Sequence, residues 1–300
     1  MTVSTQHVEL DSNITLHVRR EDLIHPHISG NKYRKLKYNI LEAKANKLNT
    51  LLTFGGAYSN HIAAVAYAGK ENGLATIGII RGEELSGKVD TNPTLTFAQS
   101  CGMQLHFVTR ENYKLKSSEL FIEDLRSQFG SFYFVPEGGT NVLAIKGCEE
   151  ILNEGDAKYD FICCAVGTGG TISGIINSSE NHQKVLGFSA LKGDFLKNDI
   201  SNFVQKKNWE LITDYHFGGY AKINTDLVAF INQFKAANDI PLDPIYTGKM
   251  MYGIFEMIES GFFPEGSKIL AIHTGGLQGI EGMNSQLKKR NLPLIEVDEV

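Results

Sequence analysis

The chain has little cysteine and little proline, one tryptophan, no excess of positive charge and no long apolar run, and each shortage removes a class of protein. Its four cysteines, Cys101, Cys148, Cys163 and Cys164, show no Cys-x-x-Cys spacing, so neither a disulfide framework nor a metal site is indicated. Cys163 and Cys164 are neighbours, which on a strand face opposite sides, and they read as packed, reduced thiols. The prolines form no cluster, which excludes a proline-rich linker. Acidic residues outnumber basic ones, 34 against 29, and no basic stripe or tail marks a nucleic-acid partner. No stretch approaches the roughly 18–20 apolar residues of a membrane span, and residues 1–10 lack the basic start and apolar centre of an export signal. The expectation is a cytoplasmic protein that handles small molecules, in which the sequons at Asn13 and Asn177 carry no weight.

Hydrophobic residues, by contrast, make up 42% of the 300. That is enough for a large core, and a chain of this length commonly divides it in two. From about Thr50 short apolar runs alternate with amphipathic stretches, and each change of period falls near glycine or proline, which predicts a parallel α/β protein. Strands are expected at residues 50–54, 75–80, 105–109, 132–135, 161–166, 185–191 and 269–274, with helices over most intervals, 59–72 among them. Over residues 31–48 the apolar Tyr33, Leu36, Ile40, Leu41 and Ala45 recur at helical spacing, leaving Arg34, Lys35, Lys37, Glu42 and Lys44 on other faces. There is no internal repeat and no low-complexity tract.

Five segments carry chemistry. In Ser29-Gly30-Asn31-Lys32-Tyr33-Arg34-Lys35-Leu36 a lysine opens a helix beside further cations. The helix N-terminus and the neighbouring charges disfavour its ammonium form, so the amine suits a nucleophile; a solvated basic face is the plainer alternative. Phe54-Gly55-Gly56-Ala57-Tyr58-Ser59-Asn60-His61 closes a strand and opens a helix, where α/β sheets bind ligands; a Ser cap with a structural histidine is the alternative. Val166-Gly167-Thr168-Gly169-Gly170-Thr171 follows a strand and opens a helix, as a phosphate cradle does and as a tight turn also would. The remaining two are Asp243-Pro244-Ile245-Tyr246-Thr247-Gly248-Lys249 and His273-Thr274-Gly275-Gly276. Taken alone, Tyr246 reads as core and His273 as a packed strand residue.

The order of these motifs resembles the D-cysteine desulfhydrase and 1-aminocyclopropane-1-carboxylate (ACC) deaminase family, over roughly residues 19–279. These are fold-type II pyridoxal 5′-phosphate (PLP) enzymes, similar to the tryptophan synthase β-subunit. The resemblance implies two domains, each with a mostly parallel, open, twisted sheet flanked by helices: a small domain at 36–145 and a large PLP-binding domain at 1–35 and 146–300. It implies that Lys32 is the Schiff-base lysine and that Asn60 lies beside the cofactor ring. Gly167, Thr168, Gly169, Gly170 and Thr171 would hold the phosphate, Tyr246 would pack on the ring, and Thr274 would face the pyridine nitrogen. Ser59, Tyr246 and Tyr220 join Lys32 as catalytic candidates, and Ser59, Asn60, His61 and Thr247 are candidates for contact with the substrate.

Two positions bear on substrate, because ACC deaminases carry glutamate after the ring-side tyrosine and leucine in the His-x-Gly-Gly motif. Here these are Thr247 and Thr274, as in the desulfhydrases. The implied reaction is α-proton abstraction and β-elimination from a small amino acid, giving a keto acid and ammonia. ACC ring opening, a serine-type dehydratase or racemase, and a non-catalytic amino-acid-binding protein are the alternatives. A homodimer is implied as well. The sequence departs from the family where Ile62-Ala63 follow Ser-Asn-His, since an arginine commonly appears nearby, and this leaves the cation for a substrate carboxylate unassigned.

Overall fold

The computed structural model describes residues 3–297, so residues 1–2 and 298–300 of the expected large domain lie outside the described residues. The strands are β1 Thr5–Val8, β2 Thr15–Arg19, β3 Thr50–Gly55, β4 Ala75–Arg81, β5 Met103–Val108, β6 Tyr133–Val135, β7 Phe161–Val166, β8 Lys184–Ser189, β9 Trp209–Ile212 and β10 Lys268–Ile272. They form two sheets, one in the order β1-β2-β10-β7-β8-β9 and one in the order β5-β4-β3-β6. Every pairing is parallel except that of β1 with β2. The helices are α1 Asn31–Ala45, α2 Asn60–Asn72, α3 Pro93–Ser100, α4 Arg110–Tyr113, α5 Glu119–Phe129, α6 Val142–Cys148, α7 Gly170–Ser178, α8 Leu196–Ser201, α9 Thr225–Asn238, α10 Thr247–Glu259 and α11 Gly279–Lys289.

Parallel strands need crossover helices, so both faces of each sheet are covered and the strands read as continuous apolar runs. In the larger sheet, one core joins β7, β8 and β10 to α9, α10 and α11. The opposite core joins the same strands to α7 and α8. Cys163 belongs to the first core and Cys164 to the second, as their adjacency on a strand requires. The smaller sheet is packed by α1, α2 and α3 on one side and by α5 on the other.

Expected and observed elements differ mainly at their ends. The strand expected at 105–109 stops at Val108 because Thr109 caps α4, its hydroxyl accepting from the N–H of Asn112 at 3.0 Å. The helix expected to reach 48 ends at Ala45, and Lys47 takes a positive φ of 56°. Strands β1, β2 and β9 go beyond the expected set. They are four or five residues long and alternate over too few positions to register as a period.

The basic face expected on α1 also differs. Arg34 and Lys35 are 3% and 2% exposed. Arg34 makes a bidentate pair with the buried Glu21, at 2.9 Å for each bond, and Lys37 pairs with Glu150. Arg34 and Lys35 are thus buried with protein partners, and only Lys37, paired with Glu150, keeps its side chain in water.

Candidate active site

The C-terminal ends of both sheets face a shared cavity of about 520 Å³. Strand β3 leads into it through Gly56 and Ser59, β7 through Gly167 and Thr168, and β10 through Thr274, because ligand-binding loops in parallel sheets gather at this edge. The walls include Lys32, Ser59, Asn60, His61, Gly167, Thr168, Gly169, Thr171, Tyr220, Tyr246 and Thr274. Gly170 is the first residue of α7, directly behind that wall.

Lys32 sits in the first turn of α1, which Gly30 caps without a side chain. Its Nζ donates to Asn31 Oδ1 at 3.0 Å, Asn31 Nδ2 donates to Thr171 Oγ1 at 2.8 Å, and Asn31 N–H donates to the carbonyl of Thr274 at 3.1 Å. Three of the five motifs are therefore joined at one residue. Burial brings the Lys32 amine down to about 7, and the nearby Lys35 cation pushes in the same direction. Of the three cations expected to act on it, Arg34 and Lys37 are tied to carboxylates and only Lys35 contributes.

Lys35 figures in the sequence reading as a neighbouring charge only. Its Nζ donates to the carbonyl of Gly138 at 3.0 Å and to Thr140 Oγ1 at 3.2 Å, and it lies 3.5 Å from Thr168 Oγ1. It thus stands between the loop after β6 and the glycine loop after β7. Its spacing of three from Lys32, one turn along the same helical face, is the signal that could have found it.

Ser59 is the N-cap of α2; its Oγ accepts from the N–H groups of His61 and Ile62 at 3.2 and 3.3 Å. The hydroxyl hydrogen remains available to the cavity. Asn60 has a buried Oδ1 without a hydrogen-bond partner among the described residues. Thr53 donates its hydroxyl to Val135 O and lies 2.8 Å from His61 Nε2, which fixes that nitrogen as the protonated one. His61 Nδ1 is likewise buried and without a partner among the described residues. Burial, then the Lys32 and Lys35 cations, holds this imidazole well below its usual range, so it is a neutral acceptor.

Tyr246 packs across Gly167, where a Cβ would come within 3.0 Å of its ring. The ring of Tyr220 lies 6.3 Å from that of Tyr246 at 63°. Burial is the main cause that raises both phenols, with Asp243 and Glu137 adding to it, so both keep their protons at neutral pH. They can donate a proton but are poor bases.

Thr247 does not reach the cavity. It is fully buried, and its hydroxyl donates to Asp243 Oδ2 at 2.7 Å. Asp243 also accepts from the N–H groups of Ile245, Tyr246 and Thr247, so this carboxylate fixes the turn that presents Tyr246. His273 is fully buried, with Nε2 on Pro241 O at 2.7 Å and Nδ1 accepting from Gly275 N–H, which makes it a packed residue.

Lys249 closes the fourth motif, where the sequence assigns it no role. Its buried Nζ donates to the carbonyls of His216 and Gly219 at 2.9 and 2.8 Å. Those carbonyls belong to the loop that carries Tyr220, in which Phe217, Gly218, Gly219 and Ala221 all have positive φ. A loop so wound needs a tether. Lys249→Met is expected to cost about 2–4 kcal/mol in a urea titration, because two carbonyls lose their donor. Stability equal to wild type would show that the loop holds itself.

Residues 3–275 match the family described as pyridoxal-phosphate dependent enzyme. The chain belongs to this family of enzymes. A bifunctional D-cysteine desulfhydrase/1-aminocyclopropane-1-carboxylate deaminase of Arabidopsis thaliana, named as mitochondrial, is 32% identical over 90% of this chain and 74% of its own. A 1-aminocyclopropane-1-carboxylate deaminase of Rhizobium rhizogenes is 26% identical over 91% of this chain and 90% of its own. The crystal structure of an ACC deaminase homologue superposes with a TM-score of 0.82 at 27% identity, covering 96% of this chain and 94% of that one. The fold is therefore that of the fold-type II PLP enzymes, as the motif order implied. Among the described residues no helix is long and apolar enough to cross a membrane.

Proposed function

We propose that this PLP enzyme releases ammonia from a small amino acid by β-elimination, in the manner of a D-cysteine desulfhydrase. The observation that carries the reading is the convergence, in one cavity, of the depressed Lys32 amine, the glycine loop that opens α7, and the Ser59–Asn60 turn.

The residues fit PLP. Gly169 in the left-handed region turns the loop so that the first N–H groups of α7 open toward the cavity, and with Thr168, Thr171 and the Lys35 ammonium they would hold the phosphate. The orphaned Asn60 Oδ1 is a buried polar atom that a ring substituent would satisfy. Tyr246 would cover the ring, and Thr274, 7% exposed, would offer its hydroxyl to the ring nitrogen. Pyridoxal phosphate, when bound, supplies the electron sink for charge left on the α-carbon.

The protein's own residues do the rest. Lys32 would hold the cofactor through its aldehyde, and its Nζ, largely neutral near pH 7, would take the α-proton of the substrate. Ser59 donates its free hydroxyl hydrogen to the substrate, beside His61. Tyr220 and Tyr246, held as phenols, give a proton to the departing group. The sulfur leaves the β-carbon with the bonding pair and, carrying that proton, departs as hydrogen sulfide. The enamine left behind takes a proton from water at its β-carbon and water replaces its nitrogen, giving keto acid and ammonia, while the proton held on Lys32 Nζ restores the phenol. The division into residues 36–145 and the remainder supplies closure that excludes water, and a cytosolic homodimer completes the reading.

ACC ring opening stands as a second reading, because Thr247, one of the two positions that argued against it, is buried on Asp243 and does not face the cavity. Purified protein supplied with PLP is expected to show a visible absorption band that borohydride bleaches, with the label on Lys32. Sulfide and keto acid should appear from D-cysteine faster than keto acid from ACC or from D- or L-serine. No band, or no ammonia from any of these, overturns the proposal.

A further inference from the structure

A substrate carboxylate needs a countercharge, and the residues after Ser-Asn-His do not supply it: Ile62 and Ala63 are both fully buried in the core. A cation comes instead from the neighbouring strand. Gly55 on β3 is in register with Ile80 on β4, so Gly56 and Arg81 emerge side by side at the C-terminal edge of the smaller sheet. Arg81 lines the cavity, and its Nη2 lies 3.7 Å from where a Cβ on Gly56 would stand. Gly56 belongs to the turn that runs into Ser59 and the N-terminus of α2. That first turn holds no acidic residue, so the helix dipole and the free Ser59 hydrogen there both favour an anion.

Arg81 is exposed, and its side chain makes no hydrogen bond or ion pair among the described residues. Its guanidinium stands 5.7 Å from the centre of the Tyr113 ring. Glu137, an acid that lines the same cavity, is engaged elsewhere: it accepts from Tyr113 Oη at 2.6 Å and lies 3.4 Å from Lys116 Nζ. The ring of Tyr113 thus carries Arg81 on its face while its hydroxyl holds Glu137. The guanidinium is braced but uncommitted, and its planar fork matches the two oxygens of a carboxylate.

We infer that Arg81 binds the α-carboxylate of the amino-acid substrate, opposite the Ser59 hydroxyl and the N-terminus of α2. The inference rests on the proposed function. It makes Arg81 a substrate-binding residue delivered by β4 rather than by the helix that follows Ser-Asn-His.

The test is a titration of the PLP-loaded enzyme, read from its visible absorption, with D- and L-alanine, which lack a leaving group, and with alaninamide, which lacks the carboxylate. Arg81→Met is expected to raise the half-saturating concentration of alanine about tenfold or more, to leave that of alaninamide unchanged, and to leave the thermal midpoint where it was. Arg81→Lys should recover part of the loss. Equal half-saturation by alanine in wild type and Arg81→Met overturns the inference and leaves the proposed function standing. Equal weakening toward alanine and alaninamide also overturns it. A wild-type enzyme whose spectrum answers to none of these ligands overturns the proposed function, and this assignment with it.

Discussion

Lys32→Ala is expected to abolish turnover, by at least about a thousandfold, while leaving the chain folded. The borohydride-stable label on residue 32 should vanish with it. The fold survives because Lys32 donates one hydrogen bond, to its neighbour Asn31, and Asn31 retains its links to Thr171 and Thr274. Residual turnover within tenfold of wild type would mean that another amine does the work, and Lys35 would be the first to suspect.

The depressed amine makes a second expectation of the same residue. With a pKa of about 7, Lys32 is largely neutral at pH 8, so uptake of PLP by the cofactor-free chain should slow about tenfold per pH unit below 7 and level above it. The same shift acts on stability. Between pH 7 and the ordinary lysine value the unfolded chain carries a proton on this residue that the folded chain lacks. Stability of the cofactor-free protein therefore rises with pH through that window and flattens below it. Lys249, brought to about 8 by burial, and Lys35, lowered by burial, act in the same direction. Lys32→Met should flatten the rise without removing it. A thermal midpoint that falls between pH 7 and 9 in wild type and is insensitive to this substitution would contradict the assignment.

Gly30→Ala is the second large effect. Gly30 has φ 63° and ψ −140°, a region that only glycine enters freely, and a Cβ there would lie 1.9 Å from the carbonyl oxygen of Thr274. Both atoms are fixed to the backbone, so no rotamer change relieves the clash. The loss is expected at about 3–5 kcal/mol, combining backbone strain with forced separation of packed segments. Because that oxygen accepts the N–H of Asn31, the displacement also pulls Asn31, and Lys32 beside it, out of place. Activity per folded molecule should drop along with the urea midpoint. Loss of stability with undiminished activity would show that the helix start can shift without harm.

Much of this site is legible in the chain because its components are local. A glycine-rich turn after an apolar run announces itself wherever it lies, and Ser59 and Thr168 can be placed on their turns from spacing alone. What convergence adds is not legible. Lys35 becomes a wall residue because the loop after β6 closes over it, and Arg81 because two strands lie in parallel register. Neither relation is written in any short segment. Thr247 shows the opposite limit: it follows Tyr246 directly, yet a helix turns successive side chains by about 100°, which leads it to Asp243 instead of the cavity. The short strands β1, β2 and β9 escape a reading by pattern because their pairing partners, not their own periodicity, make them strands.

Helix α1 runs unbroken from Asn31 to Ala45, with its opening residue bonded to the carbonyl of Thr274 and its later turns buried against the smaller sheet. An α-helix is a stiff rod, so the hinge for the proposed movement of residues 36–145 does not lie at residues 35 and 36 themselves. If the halves rock, the rod must swing about Gly30 at one end or beyond Ala45 at the other. The reactive amine rides two residues from the first of those pivots, where a swing moves it least.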